Sequence, residues 1–174
     1  NTDALTARVG ACNTVIRAQD GKLYGYNTDV AGIVRPLQDR LNLAGAKVLV
    51  IGAGGAARAA VFGLKERGAE IYVMNRTPAS AQKLARQAHV RHAKRADLKK
   101  LSFDVILNAT PLGMGKAAES PLQENEIRAR YVFDMVYTAE TRLMKQARAK
   151  GAEIIPGVEM FVQQGARQFE IWTG

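Results

Sequence analysis

The residues best suited to chemistry sit at the ends of two apolar runs. Gly52-Ala53-Gly54-Gly55-Ala56-Ala57 follows Val48 to Ile51 directly, and Asn75-Arg76-Thr77 follows Ile71 to Met74. A Gly-x-Gly-x-x-Ala turn between a strand and a helix suits a pyrophosphate. Gly52 permits a tight turn. Gly54 removes a Cβ so that backbone can approach the ligand, and Ala57 stays small where the helix packs on the strand. Gly52, Ala53, Gly54, Gly55 and Ala56 then present the free N–H groups of a helix start to a dianion. The second strand's end selects the nucleotide. An acid there would accept hydrogen bonds from a ribose 2′-OH, as in NAD sites. Asn75, Arg76 and Thr77 instead offer amide, guanidinium and hydroxyl donors to a 2′-phosphate, which predicts NADP over NAD.

The elements that must position these residues are legible in the pattern. Val48 to Ile51 and Ile71 to Met74 are β-branched-rich runs of the kind buried on both faces of a parallel sheet. An Ala-rich helix joins them and stops at Gly68. Upstream, Asn13 to Arg17 and Lys22 to Tyr26 flank Asp20-Gly21 and predict a hairpin. Asn27 or Thr28 can cap a helix carrying Ile33, Val34, Leu37 and Leu41, expected to end near Asn42. Downstream, a helix from Pro78 to about Gln87, a short strand over Val90 to Lys94 and a short helix over Ala96 to Leu101 are expected. Asp104 to Asn108 and Tyr131 to Val136 read as strands, with a polar, irregular, mobile flap over 116–126 between them. Thr141 to Lys150 reads as a helix, Glu153 to Ile155 as the last strand, and 157–173 as the final helix. Alternation of this kind implies an α/β, Rossmann-like doubly wound parallel sheet, with ligands beyond the carboxyl ends of its strands. Gly52 to Ala56, Asn75 to Thr77, Asn108 to Met114 and Asp134 to Tyr137 should converge on one crevice, joined by Gly157.

Composition narrows the classes. The 174 residues can hold one ordinary domain, or a domain with an appendage. A net charge of +9 raises nucleic acid as a partner, but the basic residues are scattered and no aromatic-basic interleaving accompanies them. Cys12 is the one cysteine, and His89 and His92 have no third ligand nearby, so no metal is expected. No apolar run reaches membrane-spanning length and no signal-like segment is seen, which makes the cytoplasm the default compartment. The chain opens on Asn1 with a helix end feeding a strand, as a fragment would.

Taken together, several blocks resemble shikimate dehydrogenases, NADP-dependent enzymes that interconvert 3-dehydroshikimate and shikimate. The blocks are Gly10-Ala11-Cys12-Asn13-Thr14, Gly25-Tyr26-Asn27-Thr28-Asp29-Val30-Ala31-Gly32 and the Gly52 turn, followed by Asn75-Arg76-Thr77. Asn108-Ala109-Thr110-Pro111-Leu112-Gly113-Met114, Asp134-Met135-Val136-Tyr137 and Met160-Phe161-Val162-Gln163-Gln164-Gly165-Ala166 complete the series, in the family's order. Gly157-Val158-Glu159-Met160-Phe161 is most similar to versions fused to a dehydroquinate dehydratase.

The resemblance implies roles. Asp29 would belong to a catalytic Lys/Asp pair, Asn13, Asp29 and Gln164 would bind the substrate, and Tyr137 would line its side of the crevice. Thr110, Met135 and Gly157 would lie by the nicotinamide. Hydride transfer to a ring ketone creates an alkoxide that needs a proton, and a lysine held by a carboxylate can supply it. Asparagine and glutamine amides offer donor and acceptor to a polyol ring. Family members carry that lysine and a serine pair upstream of the Gly10 block, and neither Lys22 nor Lys116 sits in such a motif. The chain therefore reads as residues 1–30 of a substrate domain followed by an NADP-binding domain, 31–174, lacking the N-terminal substrate domain of its parent. Binding of NADP(H) with little turnover is the expectation. A sensor module without chemistry is the alternative, though it leaves Asn13, Asp29 and Gln164 unexplained, as is a quinate/shikimate enzyme of broader specificity.

Overall fold

A computed structural model describes residues 1–115, 119–137 and 140–174. After α1 (Ala4–Val9) come an antiparallel hairpin, β1 (Thr14–Arg17) and β2 (Leu23–Tyr26), and then α2 (Asp29–Gln38). The rest alternates: β3 (Lys47–Ile51), α3 (Gly55–Glu66), β4 (Glu70–Met74), α4 (Pro78–Ala88), β5 (Arg91–His92), β6 (Phe103–Asn108), β7 (Ala129–Asp134), α5 (Arg142–Ala149), β8 (Glu153–Pro156) and α6 (Gly157–Thr173). The six later strands form one parallel sheet in the order β5-β4-β3-β6-β7-β8. The order reverses between β3 and β6, and that switch point is where an open α/β sheet leaves a crevice.

The sheet is covered on both faces, as its continuous apolar strands require. Val48, Val50, Ile71, Val73, Val105 and Leu107 face α2 and α3 in one core. Leu49, Ile51, Tyr72, Met74, Ile106 and Val132 alternate with them and pack against Leu143 and Ala147 of α5. Two glycines pin α2 between its neighbours. A Cβ on Gly32 would stand 2.8 Å from the Met160 carbonyl oxygen of α6, and one on Gly63 of α3 would stand 2.7 Å from Val30 Cγ1. The N-terminus of α2, with Asp29 in its first turn, is thereby held by close backbone approach on two sides.

Several element ends differ from expectation, each for a local reason. Helix α2 stops at Gln38, where Arg40 turns back to donate 2.9 Å to the Pro36 carbonyl and pairs with Glu159 of α6. Thr28 occupies the cap position without a side-chain capping bond; Asn27 Oδ1 accepts from the Val30 N–H at 3.4 Å. Strand β5 is only Arg91–His92, because the Lys94 N–H is taken by Asp97 Oδ2 at 2.8 Å and a 3₁₀ turn, Arg95–Lys99, begins there. Strand β7 ends at Asp134, whose carboxylate accepts the Val136 N–H at 3.2 Å and bends the chain away. Of the flap expected over 116–126, residues 116–118 lie outside the described residues. The remainder is anchored: Leu122 is buried, Glu124–Glu126 forms a 3₁₀ turn, and buried Glu126 takes Arg95 Nε and Nη2 at 2.7 and 2.5 Å.

Candidate functional site

The glycine turn leaves β3 as expected. Gly52 has φ +127°, and a Cβ there would lie 2.9 Å from the Ala109 carbonyl oxygen, so two independent constraints demand glycine. Gly54 is different. Its backbone is extended and a Cβ would meet nothing within 4 Å, so the space beside it is open. Ala57, fully buried, lets α3 sit close on the sheet, and the first turn of α3 carries no acidic side chain.

A cavity of about 640 Å³ opens beyond this turn, lined by Gly52 to Gly54, Asn75 to Pro78, His92 to Arg95, Ala109 to Leu112, and Ser120 and Pro121. Among the described residues, no Asp or Glu lines it. Arg76 is exposed and has no ion-pair partner among the described residues; Asn75 Nδ2 donates to the Thr77 carbonyl at 3.3 Å. Thr110 reaches the cavity from the loop after β6, its hydroxyl donating to Asn108 Oδ1 at 2.7 Å.

Behind Thr110 lies a buried polar network that sequence reasoning missed. Asn108 Nδ2 donates to Asp134 Oδ1 at 2.9 Å, and the Thr141 hydroxyl lies 2.6 Å from Asp134 Oδ2. Asp134 is fully buried and pairs with no cation among the described residues, and burial raises its pKa against the opposing pull of Thr141, Val136 and Asn108. The signal was present as two polar residues ending apolar strands at the same level, Asn108 opposite Asp134.

The fourth expected stretch does not enter the large cavity. Val136 and Tyr137 border a separate hollow of about 360 Å³ with Pro156 and Val158. The physical cause is Gly157, which packs so tightly on Met135 that a Cβ would collide with the Met135 carbonyl and stand 2.8 Å from the Val136 carbonyl carbon. Met135 and Gly157 are thus locked to each other and do not line the cavity.

The polar residues near α2 do come together. Asn13 Nδ2 donates to Asp29 Oδ1 at 2.9 Å, while Asn13 Oδ1 accepts from the Thr28 N–H at 3.0 Å. The Thr28 hydroxyl lies 3.2 Å from Asn13 Oδ1 and 3.4 Å from Gln164 Oε1. One proton cannot serve both acceptors, and a flipped Gln164 amide would place a donor there. Burial raises the Asp29 pKa, partly offset by the Asn13 bond. Tyr137 stacks on Phe161 of α6 with ring centroids 5.1 Å apart.

A parallel sheet of this order, with a glycine turn at its switch point, defines a Rossmann-like α/β protein. The "Shikimate / quinate 5-dehydrogenase" family matches residues 36–136, and the "Shikimate 5'-dehydrogenase C-terminal domain" matches 157–174. The chain is 41% identical over 175 residues to a shikimate dehydrogenase (NADP(+)) of Ignicoccus hospitalis, covering 99% of this chain and 66% of that protein. Among solved structures, shikimate 5-dehydrogenase of Thermus thermophilus, in complex with NADP(H) and shikimate, superposes with a TM-score of 0.91 at 36% identity, over 99% of this chain and 66% of its own. The Listeria monocytogenes enzyme, in complex with shikimate and NAD, gives 0.88 at 31% identity, with coverage of 99% and 66%. The chain belongs to the shikimate/quinate 5-dehydrogenase family. It spans 66% of the length of the Ignicoccus relative. Among the described residues, no helix is long and apolar enough to cross a membrane.

Proposed function

We propose that this chain binds NADP(H) across the carboxyl ends of β3, β4 and β6 and serves the reversible reduction of 3-dehydroshikimate to shikimate. The observation that carries the reading is the open backbone at Gly54 facing a cavity that holds Arg76 and, among the described residues, no acid. The residues fit the coenzyme chemically: N–H groups at the start of α3 suit its pyrophosphate, and Asn75, Arg76 and Thr77 suit its 2′-phosphate. When bound, the coenzyme supplies the hydride. Thr110 lines the cavity at the end assigned to the nicotinamide and is held by the Asn108–Asp134–Thr141 network, while Met135 and Gly157, packed on each other outside the cavity, are assigned beside it.

Asn13, Asp29, Gln164 and Tyr137 are assigned to the substrate. Residues 1–30 belong in this reading to the substrate domain and 31–174 to the coenzyme domain, with α6 returning to the cleft between them. Support comes from the hairpin's own two-stranded sheet and from Gln164 reaching Thr28. Asp29 orients a lysine that protonates the nascent alkoxide. Among the described residues no lysine or arginine pairs with Asp29, so this chain alone is expected to bind coenzyme and turn over poorly, its parent's N-terminal substrate domain completing the site. A cytoplasmic setting suits the reaction, with Cys12 as an exposed free thiol.

Fluorescence titration tests the reading. Saturable NADPH binding, more than about tenfold tighter than NADH, is expected from one charged contact. No NADPH binding overturns it. Brisk shikimate oxidation by the chain alone overturns the proton-donor assignment and leaves the coenzyme site standing. Quinate, which the family's description also covers, is the second substrate to compare.

A further inference from the structure

We infer that Lys94 is a second cation for the coenzyme's 2′-phosphate, acting with Arg76 to favour the phosphorylated coenzyme. The inference rests on the coenzyme reading above and adds a residue outside every sequence motif. Among the described residues, four side chains that carry or can carry positive charge line the cavity: Arg76, His92, Lys94 and Arg95. Arg95 is already engaged, its guanidinium clasping buried Glu126. Arg76 and Lys94 have no carboxylate partner among the described residues, and both are exposed. Asp97, three residues on, has its Oδ2 occupied by the Lys94 backbone N–H at 2.8 Å and does not line the cavity.

Strand register brings Lys94 to the stretch that carries Arg76, and both line the same cavity. Val73 of β4 pairs with His92 of β5, so Lys94, two residues past His92, emerges beside Asn75, two residues past Val73. Neighbouring strands lie about 4.8 Å apart, well within the reach of a lysine stem. The Lys94 backbone is fixed on both sides, by the Ala93 N–H donating to the Val73 carbonyl at 2.9 Å and by the Asp97 bond. A positioned backbone, with an ammonium lining the same cavity as Arg76, gives a 2′-phosphate a point charge to complement the planar guanidinium.

The test is NADPH and NADH titration of the full chain, wild type against Lys94→Ala, with Lys99→Ala as a control of equal charge change outside the cavity. Lys94→Ala should weaken NADPH by roughly three- to tenfold, the scale of one exposed charged contact, and leave NADH within about twofold. The NADPH loss should shrink as ionic strength rises. An unchanged NADPH affinity, an equal loss for NADH, or the same loss in Lys99→Ala overturns the inference. Should the wild type bind NADPH and lose it with Arg76→Ala but not with Lys94→Ala, only Lys94's role falls. Should the wild type bind no NADPH, the coenzyme reading falls and takes this inference with it.

Discussion

Asn13 Nδ2 donates to Asp29 Oδ1 across 2.9 Å, and the same side chain's oxygen accepts the buried Thr28 N–H at 3.0 Å. One amide therefore ties the end of the Gly10 block to the start of α2 and orients the carboxylate proposed for catalysis. Its two ends do different work. The oxygen satisfies buried backbone, and the nitrogen aims a carboxylate.

Replacing Asn13 separates those roles. Asn13→Ala strands the Thr28 N–H and should destabilise the chain by about 1–3 kcal/mol, the penalty for an orphaned buried donor. Asn13→Asp keeps the acceptor but sets a second carboxylate against Asp29, so it should lose its stability mainly above the carboxylate pKa range. Urea denaturation at acidic and neutral pH measures both. Equal stability of wild type and Asn13→Ala would remove the amide from this scaffold.

The two raised carboxyls set a direction for pH. Burial lifts the folded pKa of Asp29 and of Asp134 above the unfolded value. Between the unfolded and folded values, the native state then holds a proton that the unfolded chain has released, so stability falls as pH rises through that window. Asp20 and Glu170, whose pKa values are lowered by Lys22 and by Arg167, act in the opposite sense, but both are at the surface and screened. Asp134→Asn should flatten the falling part of the curve. An amide oxygen can still accept from Asn108 and Val136, and its NH₂ can donate to the Thr141 hydroxyl. A pH series of melting temperatures for both chains checks it, and parallel curves would contradict the assignment.

Arg76→Ala should weaken NADPH by about 1.5–3 kcal/mol, the range of a charged hydrogen bond, and leave NADH nearly unchanged. Calorimetric titration with each coenzyme measures it. Equal losses would show that Arg76 stacks on the adenine common to both and does not read the phosphate.

Much of this site could be read from residue order because it is built from local rules. A glycine turn between a buried strand and a helix, and the residues ending the next strand, are each set within a few positions of one another. What escaped depends on register between distant strands. Lys94 reaches the cavity because β5 pairs with β4 and a 3₁₀ turn starts early, where the Lys94 N–H donates to Asp97 in a bond that no periodicity reveals. The pattern puts Asp134 at a strand end facing the crevice, whereas its buried bonds follow from lying opposite Asn108 across β6 and β7. Sequence places Tyr137 and Gly157 in the large crevice, yet Tyr137 borders another hollow and Gly157 is packed against the Met135 carbonyl. Contact at that scale has no signature in a single chain beyond the glycine itself.

Three glycines, finally, should respond to alanine in opposite ways, and the contrast separates folding from binding. At Gly52 the φ of +127° and the Ala109 carbonyl both oppose a Cβ, and at Gly157 the Met135 carbonyl does. Gly52→Ala and Gly157→Ala should each cost about 1–3 kcal/mol or more through overpacking and strain. Gly54 has φ −82° and open space, so Gly54→Ala should melt within a degree or two of wild type, as surface changes of under about 0.5 kcal/mol do. Its methyl would project into the space assigned to the pyrophosphate, and NADPH affinity should fall sharply while the fold stays intact. Thermal melts paired with NADPH titration read the two effects apart. A Gly54→Ala chain that binds NADPH as tightly as wild type would mean that the coenzyme does not approach this backbone.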